Sequence, residues 1–224
     1  MKKRTLSRKE KIARNLLLTL CFGFVVWASR GGPMPTAELT FRQMERTRFL
    51  ARSEIMCTWE TPLSVGELGT SSARTVLVGR YTDQIAVGCL FQPNNPFGNR
   101  LTLWPREEGI TPVPLSALLQ GEDGTLFHVL LFLEVPEEAA GAQATITGRI
   151  ENAKEPVETI QGERWADGVW AFWFPIDSAL TTDGDLKYGT KDLEGLPYTL
   201  ELYRTDGGPL AEQEGTLPEN FQSG

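Results

Sequence analysis

The chain has 224 residues and a net charge of −7, with one histidine and three cysteines. Its charge is split: residues 1–30 hold eight basic side chains and one acid, Glu10, whereas fourteen basic and twenty-eight acidic side chains follow, leaving the remainder near −14. A surface of that sign repels nucleic-acid phosphate and anionic headgroups, so nucleic acid is excluded as the main partner.

The first element is a basic head, Lys2, Lys3, Arg4, Arg8, Lys9, Lys11 and Arg14, running into an apolar stretch from Leu16 to Ala28. That is the layout of an export signal. Thirteen helical residues span about 20 Å, short of the roughly 30 Å hydrocarbon core, which favours a cleaved signal with Val26-Trp27-Ala28 before the cut. Against cleavage, the bulky Trp27 makes a mediocre site, Asn15 and Ser29 lengthen the span, and Arg14 and Arg30 can snorkel outward. Cys21 is not a lipid-anchor cysteine, because bulky Leu20 precedes it and the apolar run continues beyond it. Residues 1–30 are therefore expected to be a signal peptide or a single-pass signal-anchor, contacting the membrane through residues 15–29 if uncleaved. Cleavage near Ala28 gives a secreted protein instead. Either case places the later residues on the extracytoplasmic side.

Residues 31–36 read as a linker. A helix is expected from Ala37 to about Arg52, capped by Thr36, with Glu38 in its first turn. Ala37, Phe41, Met44, Arg48 and Ala51 share one face, flanked by Leu39 and Leu50. Arg42, Arg46, Arg48 and Arg52 give it a positive side, read either as a solvated face or as a docking patch for an acidic partner.

The period then changes to two. Glu54–Trp59, Arg74–Arg80, Gln84–Phe91 and Leu101–Trp104 read as strands. Cys57 is placed on one face with Ile55 and Trp59, and Cys89 with Ile85, Val87 and Phe91. A cross-strand disulfide between Cys57 and Cys89 and two buried thiols are both open readings outside the cytoplasm. Residues 109–124 read as a join. Beyond it, strands are expected at Leu126–Val135, Ala142–Ile150, Val157–Trp165, Val169–Phe174, Tyr198–Arg204 and Leu210–Leu217, with hairpin turns at Asp167-Gly168 and Asp206-Gly207.

The expected fold is mainly β with an N-terminal α+β portion. A helix-plus-antiparallel-sheet roll over 37–115 precedes a β-sandwich over 125–218. Strand order and length in that sandwich resemble immunoglobulin-like or fibronectin-type-III modules, without the cysteine-tryptophan-cysteine hallmark. The resemblance is architectural and carries no functional residues across.

Chemistry is sparse. His128 alternates with Leu126, Leu130 and Phe132 and reads as structural. No Gly-x-Ser-x-Gly elbow, phosphate-cradling loop or zinc spacing occurs. Glu107-Glu108 and Glu137-Glu138 lie at loops and read as solvated. Asp183-Gly184-Asp185, with Asp192 and Glu194, has Lys187 where a calcium loop needs an oxygen ligand. No metal, cofactor or small-molecule ligand is therefore expected. The unusual feature is Trp165 to Phe174, with Trp170, Phe172 and Phe174 on one face and Val169, Ala171 and Trp173 on the other. One face must pack the core. The other either meets the neighbouring domain or presents aromatic rings, so Trp165, Trp170 and Trp173 are the binding candidates, with Trp173 the outward one. The functional expectation is an exported, membrane-tethered, non-enzymatic protein presenting β-rich domains for protein–protein interaction with an envelope protein. The alternatives are a carbohydrate-binding module for cell-wall or host glycan and a small carboxylate-dependent hydrolase.

Overall fold

The computed structural model describes residues 7–29, 36–64, 67–68, 72–91, 98–148, 157–176, 193 and 195–218. The chain is mostly β, with two helices and antiparallel sheets. The acidic 183–194 loop, apart from Leu193, lies outside the described residues.

Helix α1 (Arg8–Ser29) starts at a capping box. The Ser7 N–H donates to the Glu10 carboxylate at 2.7 Å, and the Glu10 N–H donates back to Ser7 Oγ at 3.3 Å. Its apolar side chains, Leu16, Leu17, Leu18, Leu20, Phe22 and Val25 among them, are exposed. Among the described residues no helix is long and apolar enough to cross a membrane.

Helix α2 (Ala37–Thr47) is capped by Thr36, whose hydroxyl accepts the Leu39 N–H at 3.2 Å. It stops short of Arg52. The Phe49 N–H turns back to the Arg46 carbonyl and the Leu50 N–H to the Glu45 carbonyl, with Phe49 left-handed at φ 57°. That is a Schellman turn with phenylalanine where glycine is usual. It directs Leu50 back onto the core while leaving Arg48 and Ala51 exposed, outside the expected apolar face.

Three sheets follow. The first is a meander of β1 (Glu54–Glu60), β2 (Thr75–Arg80), β3 (Gln84–Leu90) and β4 (Arg100–Pro105), paired in that order. The expected join instead contains two strands, β5 (Thr111–Pro114) and β6 (Leu119–Gln120), and residues 111–119 are buried throughout. Both pair with β7 (Leu126–Leu133). Pro112 and Pro114 are tolerated because β5 is an edge strand, where a missing N–H costs no ladder bond. The central sheet runs β10 (Glu163–Ala166), β11 (Val169–Pro175), β7, β5. The third runs β13 (Pro209–Thr216), β12 (Pro197–Tyr203), β8 (Gly141–Thr147), β9 (Val157–Gln161).

The expected single strand Val157–Trp165 is cut at Gly162, where the chain leaves the third sheet for the central one. A Cβ at Gly162 would lie 2.7 Å from the Phe172 ring, so only glycine passes over it. Both Asp-Gly turns occur, but only the glycines take positive φ, 72° at Gly168 and 79° at Gly207. A register shift beside each turn absorbs the difference.

The layers stack as α2, first sheet, central sheet, third sheet. Val76, Val78, Ile85, Val87 and Trp104 face Val129, Leu131, Leu133 and Ala171 across one interior. Leu130, Phe132, Trp170, Phe172 and Phe174 face Ala144, Ile146, Tyr198 and Leu200 across the other. His128 is buried in β7, on the side of Leu130 and Phe132 as its alternation required. Helix α2 covers the outer side of the first sheet. Its Phe41 ring sits so close to β3 that a Cβ on Gly88 would lie 2.5 Å from it.

A buried carboxylate fixes that helix. Glu45, with 2% of its side chain exposed, accepts from Arg42 at 2.8 Å, Tyr81 at 2.8 Å and the Ser53 backbone at 3.1 Å. Burial alone would push its carboxyl up, but these donors together hold it below the ordinary glutamate range. Its contribution to stability is therefore present above the unfolded value near 4.5 and is lost as pH falls through the lower folded value. Glu45→Gln removes the buried partner of Arg42 and leaves it only the longer pair with Glu38 at 3.7 Å, and should cost about 3 kcal/mol at neutral pH. In urea titrations from pH 7 to pH 3 the difference between wild type and variant should shrink toward acid. A constant difference would refute the assignment.

Candidate functional site

The aromatic residues singled out in the sequence do not act as one group. The expected face alternation of β11 holds, and it sends them into different interiors. Trp170 is 5% exposed, between the central and third sheets. Trp173 lies on the opposite face, toward the first sheet, and is half-buried rather than outward. Trp165 joins it there from β10.

The third member is Trp59 of β1, whose alternation with Cys57 marks it only as core-facing. Strands β1 and β10 are the matching edges of the first and central sheets, so their side chains meet at the mouth of the seam. The Trp59 and Trp165 rings stack with centroids 4.9 Å apart and planes 13° from parallel. Trp173 meets Trp59 edge-on at 5.5 Å, Phe127 at 5.6 Å and Trp165 at 6.0 Å. Such geometries match the ring quadrupoles and add roughly 1 kcal/mol per pair beyond area burial.

Glu163 completes the cluster. It opposes Ala171 in the ladder, one step from Trp173 on the same face. Its Oε2 accepts the Trp173 indole N–H at 2.9 Å and lies 3.4 Å from that of Trp165. The sequence signal for it was the spacing Glu163-x-Trp165, two residues on one side of a strand. The signal for Trp59 was weaker, because nothing local says which strand edge it will meet.

The cysteine reading needs correction. A β-bulge between Ile55 and Cys57 reverses the alternation, so Ile55 faces α2 whereas Cys57 and Trp59 face the central sheet. Cys89 shares its interior with Ile85 and Val87 as expected. Cys57 and Cys89 are both free and buried. They sit on β1 and β3 with β2 between them, Cys57 opposite Val78 and Cys89 opposite Val76. Two strand spacings of about 4.8 Å exceed the Cα separation a disulfide bridges. Burial pushes both thiols up to about 11.

The seam therefore offers a wet-edged aromatic cluster with one carboxylate. Only Trp59 and Trp165 stack face to face, and the contacts of Trp173 are edge-on. Among the described residues, buried Glu45 is held below the ordinary range by Ser53, Arg42 and Tyr81, and half-buried Glu134 by Arg106 and Arg80, so neither is suited to act as a general acid. Glu134 receives Arg106 at 2.6 Å and Arg80 at 3.2 Å, tying the first sheet to the end of β7. Glu107, Glu108, Glu137 and Glu138 are exposed. Among the described residues no group of three or more His, Cys, Asp or Glu side chains could hold a metal ion.

Trp59→Ala should destabilise the chain by roughly 2 kcal/mol, less than a full core truncation because the ring is half-buried. It should also red-shift the tryptophan emission as Trp165 and Trp173 meet water. An unchanged spectrum would mean the stack is absent in solution. A thiol-reactive dye should count one cysteine, Cys21, in the folded chain and three after denaturation without reductant. A count of one after denaturation would restore the disulfide. No family model, curated protein or solved structure matches this chain.

Proposed function

We propose that this chain is an exported, membrane-tethered, non-enzymatic protein that presents its β layers for protein contact on the extracytoplasmic side. The observation that carries the reading is the apolar half of α1. Successive helical side chains point about 100° apart, so exposed Leu16, Leu17 and Leu18 cover three sides of the cylinder. A helix apolar all round needs an apolar medium, whereas an amphipathic one needs only a core on one side. The basic residues Arg8, Lys9, Lys11 and Arg14 precede it, which sets the orientation with the later residues outside. Its short apolar length keeps a processed, released form as the competing outcome.

We read the central and third sheets together as an immunoglobulin-like sandwich. What supports this is two antiparallel sheets facing each other across a shared aromatic interior. The contact surface is then the polar outer side of the third sheet, together with the seam at Trp59 and Trp165.

The full chain should sediment with membranes and resist extraction by salt and alkaline carbonate. Leu17→Lys with Leu20→Lys should move it to the soluble fraction. A soluble product beginning near Ser29 would show cleavage and remove the tether. In-cell crosslinking followed by mass spectrometry should recover one defined envelope protein. Recovery of wall glycan instead would favour the carbohydrate reading.

A further inference from the structure

The turn that ends α2 departs from local rules twice. Phe49 holds a left-handed backbone that bulky residues avoid, in a position where glycine would be unstrained. It is also 97% exposed, the most exposed large apolar side chain described. A strained and fully wetted phenylalanine does nothing for the fold around it, which points to a contact made outside the chain.

Its surroundings identify the class of contact. Arg46 and Arg48 lie within three residues of it and form no ion pair among the described residues. Arg52 is 76% exposed and reaches only Glu38, at 3.5 Å. Beside the turn a groove of about 340 Å³ is lined by Leu39, Leu50 and Ala51, by Arg42, Gln43, Arg46 and Arg52, and by the acids Glu38 and Glu45, both of which are engaged by Arg42. Leu39 on its rim is half exposed. An exposed aromatic tip with three arginines within three residues of it in the chain, next to a groove floored by Leu39 and Leu50, matches the interface of an anionic bilayer: phosphates outside, acyl carbons just beneath.

Chain length places this turn near a bilayer. Between Ser29, the end of α1, and Ala37, the start of α2, lie residues 30–36, which reach at most about 28 Å when extended. With α1 inserted, α2 cannot leave the membrane surface by more than that. The rest of the molecule favours the same orientation. The outward side of the third sheet, at the far end of the stack, carries Glu201, Glu212 and Glu214, and anionic lipid repels it.

We propose that the Phe49 turn is a second membrane contact. Phe49 enters the interface of an anionic bilayer, Arg46, Arg48 and Arg52 engage lipid phosphates, and the layers are held with α2 toward the membrane and the third sheet outward. This rests on the tethered reading above, and it makes the third sheet the face offered to a partner.

The test uses the full chain with Cys21→Ser, reconstituted into nanodiscs. Cys57 and Cys89 are buried and stay unlabelled. An environment-sensitive dye is attached through Phe49→Cys, or through Phe22→Cys as a report on α1. In discs containing anionic lipid, the dye at 49 should shift to the blue and be quenched by a lipid-borne quencher. In zwitterionic discs, or with Arg46, Arg48 and Arg52 all changed to Glu, that response should fall by severalfold. Burial at 22 with water exposure at 49 would overturn the second contact and leave the tether standing. Water exposure at both positions would overturn the tether and the inference with it. Burial at 49 only in native membranes that carry envelope proteins would assign the turn to a protein partner and overturn the lipid assignment.

Discussion

The architecture depends on a central sheet that is apolar on both faces. Strand β7 places Val129, Leu131 and Leu133 on one side and Leu130 and Phe132 on the other. Strand β11 does the same with Ala171 and Trp173 against Trp170, Phe172 and Phe174. A sheet of this kind cannot face water on either side without exposing several hundred Å² of apolar surface. The remaining strands form the covers it requires, the first sheet on one side and the third on the other. This explains why residues 111–119 are drawn fully into the interior, and why the chain changes sheets at Gly162 rather than running straight on.

The first sheet has an outer side of its own, and α2 closes it. The close approach of Phe41 over Gly88 and the buried Glu45 network act together. One supplies contact area, and the other fixes which way the chain turns after the helix. The Leu50 N–H bonds to the Glu45 carbonyl and the Ser53 N–H to the Glu45 carboxylate, so the segment from Phe49 to Ser53 is held at both ends. The strain at Phe49 persists because these neighbours over-determine its backbone.

The molecule separates its covered aromatic groups from its uncovered ones. Inside the seam, Trp59, Trp165 and Trp173 pack against one another and Glu163 takes the N–H groups of Trp165 and Trp173. Outside it, Phe49 is almost fully exposed and Leu16, Leu17, Leu18 and Leu20 of α1 are largely so. The tryptophan hairpin, the obvious local feature, is thus largely occupied with internal packing, whereas the turn that ends α2 is not. The acidic end is left free to meet something else.

Sequence by itself determined what short-range physics controls. Period-two alternation located most of the strands, Thr36 marked the start of α2, and the Asp-Gly pairs marked two hairpins. It also required that both faces of β11 be accounted for. What it left open depended on contacts between distant residues. The bulge that turns Ile55 away from Cys57, the strand that separates Cys57 from Cys89, and the meeting of Trp59 with Trp165 are all set by which sheet edges lie together. Register and sheet order are decided by the sum of packing across three layers, and no local window contains that sum. Phe49 is a mixed case: Glu45 and Ser53, which hold its turn, are neighbours in the chain, but Tyr81, 36 positions from Glu45, helps to fix that carboxylate in place.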